Sequence, residues 1–120
     1  MDINEFRISL LQFIGTTHYY KLKAFPIYAT AGVEYFCRIL SAYWLFDDMC
    51  EIAITNPNEE FIVVVATVKD DNTCDVVYDN GNGDLICKQH YIYTNLPEGS
   101  WKFYISNYPN EKVVMLPSEY

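Results

Sequence analysis

Asp47 and Asp48 follow Trp44 closely, and paired carboxylates beside an aromatic side chain are candidates for general acid or base work. A carboxylate at the end of a buried helix needs a polar partner, which a tyrosine or a backbone amide can supply. A hydrogen-bonded helix end is therefore the competing reading of the same pair. His18 and His90 have no sequence arrangement with Ser or Cys that marks a nucleophile and its base. Cys37, Cys50, Cys74 and Cys87 form no C-x-x-C pair and lie far from the histidines. That spacing does not make a zinc site, and buried thiols are the default. No metal and no cofactor is expected.

Asp79-Asn80-Gly81-Asn82-Gly83-Asp84 has the oxygen-rich look of a calcium loop, but the twelfth position from Asp79 is His90 rather than Glu. A hairpin turn explains it better, since Asn-Gly between alternating runs is the strongest local hairpin signal. Eleven tyrosines are the oddest feature of the composition. Tyrosine joins apolar area to a polar tip and is enriched at interfaces. Tyr19, Tyr20, Tyr28 and Tyr43, with Trp44, are candidates for an aromatic patch. The structural alternative puts these rings at the edge of the core with their hydroxyls reaching water. Base stacking on them would lack the basic groove that usually accompanies it.

The chain has 120 residues, 51% hydrophobic, with 16 acids and 8 bases for a net charge of -8. This length and apolar fraction fit one folded domain, 1–120, and exclude a disordered tail. Phosphate contacts need Lys and Arg, so direct binding to nucleic acid or anionic lipid is disfavoured. The charge is uneven: residues 1–46 carry a net +1 and residues 47–120 a net -9. Glu59, Glu60, Asp70, Asp71, Asp75, Asp79 and Asp84 are thus candidates for a surface that meets a basic partner. Solubility is the plainer explanation of the same charges. No apolar run is long enough to span a bilayer, and the first residues show no basic segment ahead of an apolar one. A cytoplasmic protein is expected.

Ile3, Phe6, Leu10, Phe13 and Ile14 recur at helical spacing, so a helix is expected over residues 4–14, capped by Asp2 or Asn4 and closed by Gly15. Residues 16–29 read as a loop with a short extended piece. A second helix is expected over residues 30–55, with Thr30 as cap and Asn56-Pro57-Asn58 as its end. Val33, Phe36, Cys37, Leu40 and Trp44 mark one apolar side; Ile39, Tyr43, Phe46, Cys50 and Ala53 mark another. From Phe61 the period changes to two, and four or five strands follow through residue 116, joined by short turns. Cys74, Val76, Tyr78, Leu85, Cys87, Tyr91 and Tyr93 form the expected core face of the hairpin. A two-residue turn would set Cys74 opposite Cys87, and a four-residue turn would set Cys87 opposite Val76. The expected fold is α+β, with two N-terminal helices packed on one face of a four- to five-stranded antiparallel sheet.

Gly15-Thr16 with Tyr19-Tyr20, Gly32-Val33-x-Tyr35, Ala42-Tyr43-Trp44-Leu45 with Asp47, Asp79-Asn80-Gly81-Asn82-Gly83 and Leu116-Pro117-Ser118-Glu119-Tyr120 together resemble a family of small proteins of unknown function from bacteria, plasmids, prophages and phages. Lys21 follows the Tyr-Tyr pair, and Thr30-Ala31-Gly32 stands where the family has Thr-Asp-Gly. The resemblance implies no catalytic residue. It implies a mobile-element setting, and by that analogy an acidic protein that binds and inhibits a basic, nucleic-acid-handling host defence protein of the anti-CRISPR or anti-restriction type. The alternatives are an enzyme or small-ligand domain with an aromatic pocket near Tyr19, Tyr20, Trp44 and Asp47, and a homodimer joined through apolar strand edges.

Overall fold

The computed structural model describes residues 2–15, 18–22 and 26–120. Thr16 of the Gly15-Thr16 patch, and parts of the loop expected over 16–29, lie outside these residues. Among the described residues there are three α-helices, α1 (Ile3–Leu10), α2 (Ala31–Leu40) and α3 (Tyr43–Thr55). Seven strands accompany them: β1 (Tyr19–Tyr20), β2 (Tyr28–Thr30), β3 (Phe61–Val68), β4 (Cys74–Asp79), β5 (Leu85–Tyr91), β6 (Gly99–Tyr108) and β7 (Glu111–Met115). A 3-10 turn, Pro117–Glu119, follows β7. The strands form one sheet in the order β1-β2-β7-β6-β3-β4-β5.

The α+β class is as expected, but the sheet is larger and mixed. Five strands run from Phe61 onward, where four or five were expected, and they pair antiparallel with one another. β1 and β2 extend the sheet, and β2 runs parallel to β7, with Tyr28 opposite Val113. Two and three residues are too few to show an alternating period, so pairing alone makes them strands: β2 with the distant β7, and β1 with β2.

Asp2 caps α1, its carboxylate accepting from the Glu5 amide at 2.8 Å. The helix ends at Leu10 rather than at residue 14, and Ile14 is exposed. The helix expected over residues 30–55 is two helices. Ser41 takes the left-handed conformation at φ 52°, and the Ala42 amide closes on the Cys37 carbonyl at 2.9 Å. That closure stops a helix, and here a serine provides it where glycine is usual. Val33, Phe36, Cys37 and Leu40 of one expected side belong to α2, and Tyr43, Phe46, Cys50 and Ala53 of the other to α3, while Trp44 starts α3 and Ile39 is exposed on α2.

All three helices cover one face of the sheet. Phe36 of α2 packs edge-on against Trp101 and Phe103 of β6, and Phe6 of α1 meets Phe36 and Trp101. Ile62, Val64 and Ala66 of β3 and Val76 and Tyr78 of β4 complete this core, each wholly buried. The hairpin register follows neither expected turn. The ladder shifts between Tyr78 and Asp79, so Cys87 faces Tyr78 while Cys74 faces Tyr91. Leu85, opposite Asp79, and Tyr93, beyond β5, are exposed rather than core.

The register sets Cys74 and Cys87 about 13 Å apart along the strands, beyond disulfide reach. Burial first, then nearby Glu34 and Asp47, push the Cys37 thiol up to about 12. Burial and Asp47 do the same for Cys50, also to about 12. Cys87 alone is partly exposed. In the native protein at pH 8, an aromatic disulfide reagent should therefore label Cys87 first and the other three only on unfolding. Rapid labelling of all four thiols in the folded state would contradict this burial.

Buried polar groups pin the ends of the helical layer. Thr30 caps α2, and its hydroxyl donates to Glu119 Oε1 at 2.6 Å. Glu119 also accepts from the Gly32 amide at 3.0 Å and the Leu116 amide at 3.1 Å. A β-carbon on Gly32 would lie 2.5 Å from Glu119 Oε1, so glycine is what lets this carboxylate reach the helix. Where α3 ends, Asn107 of β6 donates to the carbonyls of Ala53, Asn56 and Glu59 at 3.0, 3.2 and 2.9 Å.

Candidate functional site

The second face of the sheet carries no helix among the described residues. Alternation sends Phe61, Val63 and Val65 of β3, Asp75, Val77 and Asp79 of β4, and Lys102 and Tyr104 of β6 to this side. In one row across it Met115, Tyr104, Val63, Asp79 and Leu85 are register partners. Phe61, Tyr104 and Tyr120 pack ring against ring, with centroids 5.1 to 5.5 Å apart. These rings, with Asp79, Gly81, Gly83 and Lys102, line a shallow groove of about 400 Å³.

The seven sequence-predicted acids fall into two groups. Glu59 and Glu60 precede β3, Asp79 ends β4, and Asp84 precedes β5, so these four share the sheet end that holds Phe61. Glu111 joins them, since β7 begins opposite Tyr108. Asp70, Asp71 and Asp75 lie at the opposite end, around the turn between β3 and β4. The second group is partly neutralised. Asp75 meets His90 Nδ1 at 2.7 Å and Lys69 at 3.9 Å, and the bond to His90 is the main cause holding its carboxyl below the usual range. Asp71 is lowered too, chiefly by the Thr73 hydroxyl and then by the Thr73 amide, at 2.6 and 3.0 Å.

Some of the predicted acids also build local structure. Asp79 Oδ1 accepts from the Gly81 amide at 2.7 Å, and Asp84 Oδ2 accepts from Asn80 Nδ2 at 3.1 Å. Asn80 Oδ1 takes the Asn82 amide at 2.9 Å. Gly81 has φ 84°, where a side chain would strain the loop. These oxygens serve the loop's own donors, which suits a hairpin. Among the described residues no group of His, Cys, Asp or Glu has the arrangement of a metal site.

The predicted aromatic patch is not assembled as one surface. Tyr19 and Tyr20 form β1, the outermost strand on one side of the sheet. Trp44 packs on Tyr91 of β5, the outermost strand on the other side, with centroids 5.1 Å apart at 62°. Tyr43 is half-buried against the core. Asp47 is half-buried and faces Cys37 and Cys50 electrostatically.

Asp48, rather than Asp47, is the acid beside Trp44 in space. The Tyr91 hydroxyl donates a hydrogen bond to Asp48 Oδ2 and also lies 3.0 Å from Gln89 Oε1. Burial, then the Asp48 bond, raises the Tyr91 pKa, so the phenol stays protonated and remains the donor. Trp44, Asp48, Tyr91, Tyr93, Thr94 and Asn95 line a pocket of about 340 Å³. Behind it the Tyr78 hydroxyl is fully buried with no hydrogen-bond partner among the described residues; burial, then Tyr91 and Asp48, push its pKa up. Reading by sequence missed this grouping because Tyr91 and Asp48 are 43 positions apart. The strand alternation was the one available signal, since it sends Tyr91 to the helix side.

No helix among the described residues is long and apolar enough to cross a membrane. A family model described as "Family of unknown function (DUF6876)" matches residues 4–120. No curated protein and no solved structure matches the chain.

Proposed function

We propose, for a chain that belongs to the DUF6876 family of unknown function, a non-enzymatic role: an acidic interaction protein that binds a basic surface on a host protein. The observation that carries this reading is the gathering of Glu59, Glu60, Asp79, Asp84 and Glu111 around an uncovered aromatic cluster at one end of the sheet. Like charges brought together raise the local field and steer a basic partner into contact. The rings of Phe61, Tyr104 and Tyr120 supply the apolar anchor that charge alone lacks. A surface built for phosphate is the complementary partner, so a nucleic-acid-handling protein fits best. In the mobile-element setting that the sequence resemblance implies, that partner is a host defence complex, and occupying its phosphate site inhibits it.

Affinity capture from bacterial lysate tests this. Wild-type protein should retain nucleic-acid-binding proteins at low salt and release them as salt rises, because exposed charges are screened beyond ~8 Å at physiological ionic strength. Reversing Glu59, Glu60, Asp84 and Glu111 to lysine should abolish the capture, and reversing Asp70 and Asp71 should leave most of it. The captured protein should lose its nucleic-acid activity when wild-type chain is added. Capture that ignores both salt and charge reversal would overturn the reading.

A further inference from the structure

The geometry points to the pocket between Trp44, Asp48, Tyr91 and Tyr93 as a binding site for an organic cation, an alkylammonium or a guanidinium on an aliphatic stem. The site lies at the β5 edge, on the helix side, away from the acidic sheet end. It therefore stands or fails independently of the function proposed above.

Three aromatic side chains and one carboxylate wall a space of about 340 Å³. Aromatic faces attract cations through the ring quadrupole, and tryptophan does so most strongly. None of the residues lining the pocket is basic, so no lining cation offsets the carboxylate. Asp48 uses one oxygen to accept from Tyr91. An ionised carboxylate has about four acceptor positions, so most remain for a ligand. Asn95 adds another acceptor: its Nδ2 donates to the Leu40 carbonyl at 3.0 Å, which leaves the amide oxygen for a donor.

An anion would meet the Asp48 charge. A neutral apolar ligand would leave the Asp48 and Asn95 acceptors without donors, at a desolvation cost. A cation answers both the rings and the oxygens. The hydrogen bond from Tyr91 also holds the carboxylate in place before a ligand arrives, which lowers the ordering cost of binding.

Nitrogen-15 NMR titration of the whole chain is the test, with n-butylguanidinium and n-butylammonium as probes and neutral n-butylurea as the control. The cations should shift the Trp44 indole signal and the amides of Tyr91, Tyr93, Thr94 and Asn95. The Trp101 indole, which donates to the Pro97 carbonyl at 2.9 Å, should not move. Asp48→Asn keeps an acceptor for Tyr91 and should weaken cation binding about tenfold or more, while its own spectrum reports that the fold is intact. Tyr93→Ala, at a position 69% exposed, should weaken binding severalfold without touching the core. A Gly-Arg-Gly peptide that binds more tightly than butylguanidinium would assign the cation to a side chain of a protein partner. The reverse order would assign it to a free small molecule. Equal binding of butylurea, full binding by the Asp48→Asn protein, or no localised shift with any cation would overturn the proposal.

Discussion

Replacing Glu119 with alanine should destabilise the protein by about 3–5 kcal/mol in urea denaturation, a large share of the ~5–15 kcal/mol that holds a typical domain together. The side chain is only 5% exposed and accepts three hydrogen bonds, from Thr30 Oγ1, the Gly32 amide and the Leu116 amide. Alanine leaves those donors facing a cavity, and each buried donor without a partner costs ~1–3 kcal/mol. The Thr30 hydroxyl can turn elsewhere, but the two amides cannot. The carboxylate also sits at the positive N-terminal end of α2, where a negative charge is favoured. Glu119→Gln should fall between, because its amide nitrogen must replace one of the two accepting oxygens. An alanine variant within ~0.5 kcal/mol of wild type would mean that water replaces the carboxylate without loss.

The companion result is expected where α3 ends. Asn107→Ala should cost about 2–4 kcal/mol, because its Nδ2 satisfies carbonyls of Ala53, Asn56 and Glu59 where α3 ends. Its Oδ1 also accepts from Lys112 Nζ at 2.7 Å, and that lysine would lose its partner. Asn107→Asp should cost at least as much, since it turns an oxygen toward carbonyl oxygens and removes the donor. Asn110→Ala, in the exposed turn between β6 and β7, should change stability by less than ~0.5 kcal/mol. Denaturant midpoints of the three variants decide the matter. Parallel losses for Asn107→Ala and Asn110→Ala would remove the special role given to Asn107.

What the sequence made legible was local. Thr30 and Asp2 are caps because their side chains reach amides three residues on. Trp101, Phe103 and Ile105 point inward because a strand alternates and β6 lies between two neighbours. What stayed hidden depends on partners far along the chain. β2 is a strand because β7 returns beside it, and β1 because β2 then offers it an edge. Ser41 breaks a helix without any of the usual signals, since a left-handed serine looks in sequence like any helical surface position. Of the acids read together in the sequence, Glu59, Glu60, Asp79 and Asp84 gather, but Asp70, Asp71 and Asp75 sit a strand's length away. Composition counts charges and cannot say at which end of a strand each one falls. The pocket acid was displaced by one position, from Asp47 to Asp48, because one step on a helix turns a side chain by about 100°.

The bond between Thr30 and Glu119 spans 89 positions of the chain. A ribosome adding ~5–20 residues per second makes the cap roughly 4–18 s before its acceptor exists. Through that interval α2 has a start signal but no carboxylate to hold it, and Val33, Phe36 and Cys37 have no completed sheet to cover them. Until β6 and β7 are made, the apolar face of α2 cannot be covered as it is in the native fold, and the docking of Glu119 is among the last contacts that synthesis permits.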